Sequence, residues 1–462
     1  LSATESNPIL ALAAHAHALS VDDLDANTLA AAQMIITDTL AVGLAGCNAS
    51  YADALRGIVN EWGVGGPCRV LGKGASLPAA SAAFMNAYQI HGQEFDCVHE
   101  AAVVHPMAAI MAATLAEIER GTPEGNDAAG VSGAEFVATL TAAVDVAIAV
   151  GLSAKAGLRF FRPATAGAFG AAAAVSRLRG FSLDTTVQTF GHLYSQLCGT
   201  MQAHTEGVAV LPMQIGFNAR NAIIAADLAN AGISAPVDVI DGPFGYLELF
   251  EPGGSMVGPL RELDQVRRIG QLAYKPFPTG RATHGGLDGL LSLCREHDIA
   301  ASRVKAATLT GPPLIHRLVA RPIHAGLPAN YARLCMQYTG AVAILRGSIG
   351  LFDFDHASLA DSEIHALAAK ISVIDDGTPD PNALSPQTVE IQLADGRKLQ
   401  RELTQIYGSP QQPMNEQQHR EKVSHCCEFA GFGTHADAIF DQGTQLVQLP
   451  DIGPWLAHAY AS

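Results

Sequence analysis

Val389-Glu-Ile-Gln-Leu-Ala-Asp-Gly-Arg-Lys-Leu-Gln-Arg-Glu-Leu403 is the stretch that decides the fold. Apolar and polar residues alternate through Val389–Leu393, the two-residue period of a half-buried strand. Asp395-Gly396 then supplies the positive-φ turn chemistry of a hairpin, and Lys398–Leu403 follows as its second strand. Further runs at Val304–Leu309 and Ile371–Ile374 read as strands, with helices at 285–297 and 328–345 between them. Residues 267–404 therefore read as an α+β domain, its helices packed on an antiparallel sheet.

The chain on either side changes period. Apolar residues recur at helical spacing in 29–44, 78–91, 106–120, 135–154, 165–178, 183–199 and 217–231, and again in 415–429 and 434–447. The expected architecture is mainly α: a large all-helical domain (1–266, returning at 405–462) with an inserted smaller α+β domain. Of 462 residues, 48% are hydrophobic and 16% charged, enough for a large core and little polar surface. Alanine runs such as Ala171–Ala174 let helices approach closely.

A formal charge of −16 repels nucleic acid and anionic membranes, so neither is an expected partner. An anionic substrate would need a local cationic pocket. Eight cysteines stand apart with no Cys-x-x-Cys pair, and no basic-then-apolar leader opens the chain. A soluble cytoplasmic protein is expected. No phosphate-binding glycine loop, no Gly-x-Ser-x-Gly elbow and no His-Glu-x-x-His spacing occurs, so no cofactor and no metal are expected.

Three clusters carry chemistry. His91-Gly-Gln-Glu94-Phe-Asp96-Cys-Val-His99-Glu100, closed by His105-Pro106, gathers imidazoles and carboxylates in an otherwise apolar region. It reads as an active-site loop for acid–base work, with a solvated loop and a metal site as the alternatives. Tyr274-Lys275-Pro-Phe-Pro-Thr-Gly-Arg281-Ala-Thr-His284 holds its cations on a proline-stiffened segment. A buried lysine beside a like charge loses basicity and becomes a base near neutral pH. Arg159-Phe-Phe-Arg162-Pro163 precedes a helix whose N-terminal N–H groups suit a carboxylate.

Together these pieces resemble the MmgE/PrpD family. The resemblance rests on Asp38-Thr39-Leu40-Ala41, His91-x-x-Glu94-Phe95-Asp96, His105-Pro106, Gly167–Ala174, Lys275-Pro-Phe-Pro with His284, and Cys335-Met-Gln-Tyr338. It implies the same two-part fold, a homodimer and a small anionic polycarboxylate as substrate. Dehydratase and decarboxylase members usually carry Asp-Phe-Asp-Asp where this chain has Glu94-Phe95-Asp96-Cys97. They also carry His at the position of Arg162, Lys at that of Leu211 and His at that of Gln214. Those departures, with a new arginine, favour the family's iminodisuccinate-type epimerase branch over a 2-methylcitrate-type dehydratase or a non-catalytic binding scaffold. Epimerisation needs an acid and a base and no leaving group. The expected catalytic residues are Lys275, His105 and Tyr338. His91, Glu94, Asp96, His99, Arg162, Arg281, His284 and Gln214 are expected to bind the substrate in one cleft between the domains.

Overall fold

The computed structural model describes residues 7–74, 76–121 and 130–460. The helix expected at 29–44 runs Ala26–Ala45, and Asp25 caps it by accepting the Thr28 N–H. Ala79–Gly92, Pro106–Gly121, Gly133–Leu152 and Arg162–Leu178 follow as the sequence indicates. Small side chains set their spacing: a Cβ on Gly170 would lie 2.5 Å from the carbonyl oxygen of Ala143 in the neighbouring helix. The helix expected from Phe217 begins at Val210, because Pro212 falls in its first turn, where a proline lacks no needed donor. The helix expected over 183–199 stops at Tyr194.

The sheet orders its strands Ile371–Asp375, Val304–Gly311, Gln387–Leu393, Lys398–Leu403. The hairpin pairs antiparallel as read, with Val389 opposite Arg401. Val304–Gly311 pairs in parallel with Ile371–Asp375, however, so the sheet is mixed and not antiparallel throughout. The chain between them crosses over through several helices, the connection a parallel pair requires. The helix expected at 328–345 is two, Ala329–Arg333 and Met336–Arg346, separated where Cys335 turns extended. The carbonyl of Arg333 accepts the Gly280 N–H at that break, which ties it to the Lys275 segment.

Two large apolar cores result among the described residues, beside a small cluster of Leu19, Ala138 and Ala142. One joins the N-terminal helices to Cys426, Phe440 and Trp455 of the C-terminal stretch. The other, from Ala282 to Leu403, lies between the sheet and its helices. Among the described residues two helical stretches, Ala26–Asn48 (the Ala26–Ala45 helix with the turn that follows it) and Gly133–Leu152, are long and apolar enough to cross a bilayer, yet 78% and 89% of their apolar windows are buried inside the protein.

Candidate active site

The Ala79–Gly92 helix ends at the histidine cluster, and the chain reverses through Glu94 at φ 51°. Val103, β-branched, sits at φ 52°. Such conformations persist only where the surroundings enforce them, and they concentrate at functional sites. Here the surroundings are firm. Val98 bridges Ala273, and Lys422, paired with Asp38 at 2.7 Å, donates to the Phe95 carbonyl at 3.0 Å. His105-Pro106 then opens the next helix.

Asp96, fully buried, is the centre of the cluster. His91 Nδ1 lies 3.0 Å and His105 Nδ1 3.2 Å from its Oδ2, and Lys275 Nζ lies 3.7 Å from Oδ1. Lys275 also donates to Glu94 Oε2 at 2.9 Å, while His91 Nε2 stands 3.4 Å from Glu94 Oε1. Burial opposes ionisation of both carboxylates. The surrounding cations outweigh it, and Glu94 falls to about 2 with Asp96 held well below its ordinary range. The two imidazoles part in opposite directions. Burial works against charge on each, but Asp96 and Glu94 together raise His91 above 6.5. His105 has Asp96 alone beside it, with Lys275 and His91 repelling, and stays below 6.5. The two rings, with centroids 5.0 Å apart, therefore differ in their hold on charge, His91 favouring the imidazolium and His105 the neutral imidazole.

Both rings and Glu94 line a cavity whose remaining wall is mostly apolar: Val98, Phe161 and Leu211 from the helical body, Val319 and Leu334 from the α+β domain. Arg281 reaches its edge. Leu211 is therefore a wall residue of this cavity.

The other expected site residues lie elsewhere. Lys275 is wholly buried behind Glu94, paired with Glu94 and Asp96, and does not line the cavity. Tyr338 points its hydroxyl to the Asp353 carbonyl at 2.7 Å and does not line the cavity. Arg162 turns away as well. Its Nε and Nη2 meet Glu251 at 2.7 and 3.1 Å, and its Nη1 and Nη2 meet the carbonyls of Ala102 and Ala156. Four of its five N–H donors are so engaged, and Arg162 does not line the cavity.

Arg281 does line the cavity but is largely engaged, by Glu100 at 2.7 Å and the carbonyls of Tyr274, Ile406 and Tyr407. His284, buried beside Arg281 and far below its ordinary pKa, braces the Thr279 carbonyl at 3.3 Å. His99, lowered by burial to about 4, accepts the Ala102 N–H and reaches Gln271, fixing the loop. Gln214 accepts the Thr200 N–H at 2.7 Å.

Sequence reasoning missed three residues. His204, on the short Gln202–Glu206 helix, lines the cavity. Arg321 donates to its Nδ1 at 3.0 Å. Arg333 donates to the carbonyls of Gln93 and Pro278 and to Gln93 Oε1, close to Glu94. Five arginines are buried: Arg162, Arg268, Arg281, Arg321 and Arg333. The first three have carboxylate partners; among the described residues Arg321 and Arg333 have none. No motif signalled this, because the signal is a missing partner in space.

His91, Asp96 and His105 place their ligand-type atoms within 4.8 Å of one another, a set able to hold a metal ion. In this fold Lys275 brings an ammonium to the same carboxylate, and the pair of imidazoles is held as a proton relay would need.

A helical body and a smaller α+β part thus enclose a cavity that holds an acid–base cluster. The chain belongs to the MmgE/PrpD family: residues 10–257 match its N-terminal domain and 277–443 its C-terminal domain. Among curated proteins it is similar to the cis-aconitate decarboxylase of Aspergillus terreus, 24% identical over 470 residues covering 95% of this chain and 93% of that one. It is likewise similar to the cis-aconitate decarboxylase-like protein oryM of Aspergillus oryzae, 25% identical over 87% of each chain. The Homo sapiens cis-aconitate decarboxylase is 25% identical over 88% of this chain and 85% of its own.

Proposed function

We propose that this chain is a cofactor-independent enzyme that removes a proton from carbon beside a carboxylate of a small polycarboxylate, with His105 as base and His91 as acid. The observation that carries the reading is the pair of rings held on Asp96 Oδ2 at 3.0 and 3.2 Å at the cavity wall, His91 with Glu94 as a second carboxylate neighbour at 3.4 Å, an asymmetry that displaces the two in opposite directions. A binding scaffold has no use for such a split. The carbon acid is weak and its enediolate carries extra negative charge, so the surroundings must be positive. Arg321 and Arg333, without carboxylate partners among the described residues, supply that surplus within an acidic chain.

Side-by-side rings suit a lyase. In an elimination one ring takes a proton from one carbon while the other gives a proton to the group leaving its neighbour; in a decarboxylation carbon dioxide leaves its electron pair on carbon, and a charged ring gives the one proton that this carbon takes up. The decarboxylase relatives support the same outcome. The second reading, an iminodisuccinate-type epimerase, keeps one supporting observation: Leu211 on the cavity wall in place of the lyases' lysine. The arginine clamp that favoured it is engaged with Glu251. Function as a homodimer is part of the proposal, supported by exposed apolar side chains such as Val64 (79%) and Phe244 (77%).

Incubation in D₂O with cis-aconitate, 2-methylcitrate and the stereoisomers of iminodisuccinate, followed by NMR, tests the reading. Elimination or decarboxylation that depends on His105 is expected. An inverted, deuterium-bearing product with no unsaturated acid makes the epimerase correct. No exchange in any of the three makes the protein a scaffold.

A further inference from the structure

His204 and Arg321 are the buried polar pair that the acid–base cluster does not use. Arg321 is 6% exposed and rests at the end of the Pro313–Val319 segment, with its Nε on the Leu318 carbonyl and its face 5.2 Å from the Tyr331 ring. One Nη2 reaches His204 Nδ1 at 3.0 Å. A guanidinium has no lone pair to give, so Nδ1 must be the acceptor, and in the neutral ring the hydrogen is on Nε2. The charged groups that act on this ring are Arg321, Arg317 and His91, against the single carboxylate of Glu94. Burial and then Arg321 hold His204 down at about 3. Among the described residues Nε2 has no hydrogen-bond partner, although the residue lines the cavity with His91, Glu94 and His105.

We infer that His204, fixed in its Nε2–H form by Arg321, is the hydrogen-bond donor that receives the carboxylate oxygen on which charge builds during catalysis. The inference rests on the proposed proton abstraction and names the group that stabilises its product. When His105 takes the proton, the C–H electron pair moves into the adjacent carboxylate and its oxygens gain charge. His204 donates a hydrogen bond to one of them and transfers no proton, because its ring is already neutral. A fixed neutral donor stabilises the developing oxyanion without having to reorganise. Arg321 is a positioning residue. It sets the tautomer and lends its unneutralised charge from behind the ring.

The test combines a substitution series with a direct view of the ring. In a Gln side chain the amide nitrogen falls near Nε2, whereas Asn places it near Nδ1. His204→Gln should therefore retain activity within about tenfold, and His204→Asn and His204→Leu should lose 10²–10³-fold in kcat, the range for one oxyanion donor. Affinity for tricarballylate, a saturated tricarboxylate that cannot react, should change far less than kcat, on the order of threefold or below. With [¹⁵N]histidine in the full-length protein, His204 should show a neutral Nε2–H ring from pH 5 to 8, and Arg321→Met should abolish that preference. Equal loss in the Gln, Asn and Leu variants, or an Nδ1–H ring in the wild type, overturns the inference. Full activity of His204→Leu overturns it too, while leaving the proposed reaction standing. If the wild type neither binds tricarballylate nor exchanges a substrate proton, the proposed reaction itself fails.

Discussion

Arg162 in the helical body and Arg321 in the α+β domain are both buried arginines near one cavity, yet they do opposite things. Arg162 lies beside Glu251, a partner 89 residues away in sequence, and the fold neutralises it completely. Arg321 has only carbonyls and an imidazole as acceptors. A buried charge is costly unless compensated, so a cation the fold leaves uncompensated is where an anionic ligand completes the balance. Motif reading selected Arg162 for its place before a helix. The difference between the two is made by Glu251, and nothing near Arg162 in the sequence reports it.

The largest effect expected is at the carboxylate both imidazoles share. Asp96→Asn removes the charge that keeps His91 protonated and should lower kcat/KM by about 10²–10⁴, the full contribution of an acid–base pair. Near-normal turnover of that variant would mean the cluster is structural, like the Arg162 corner. At that corner the expected loss is in stability. Arg162→Met strands Glu251 in the interior and should lower unfolding free energy by about 3–5 kcal/mol in urea, with Arg162→Met/Glu251→Met recovering most of it. An unchanged midpoint with a raised KM would instead return Arg162 to the substrate.

Arg333→Met should sharpen the contrast from the other side. Tricarballylate affinity should drop on the order of tenfold, about 1.4 kcal/mol, by calorimetry. No loss would show that the uncompensated arginines do not serve the ligand. The smallest effect is expected for Tyr338→Phe, which removes one hydrogen bond to Asp353, worth about 1 kcal/mol of stability, and leaves kcat unchanged.

These contrasts also mark what the sequence makes legible. The 389–403 hairpin and helices such as Ala26–Ala45 and Ala79–Gly92 follow from local period and turn chemistry, so they appear within a few residues of their expected bounds. The parallel pairing of Ile371–Asp375 and the break at Cys335 depend on a crossover and a contact with Gly280, and neither has a local signature. The His91–His105 loop and Lys275 were conspicuous because titratable residues crowd an apolar stretch. Their roles were not, since Lys275 owes its position behind Glu94 to a turn with positive φ. His204 stands alone in a segment without pattern, and its meaning comes from Arg321, 117 residues on.

The pH dependence of kcat/KM, on whichever candidate acid is turned over, tests the acid–base assignment most directly. His105 must be neutral, and its lowered pKa places the acidic limb below 6.5, with activity rising as pH climbs through it. His91 must be protonated, and its raised pKa places the alkaline limb above 6.5, with activity falling beyond it. Because both rings share Asp96, the two limbs belong to the pair. A bell spanning 6.5, with both limbs moved to lower pH in Asp96→Asn because Asp96 raises both rings, is the predicted result. A profile with a single limb, or a bell lying wholly on one side of 6.5, would contradict it.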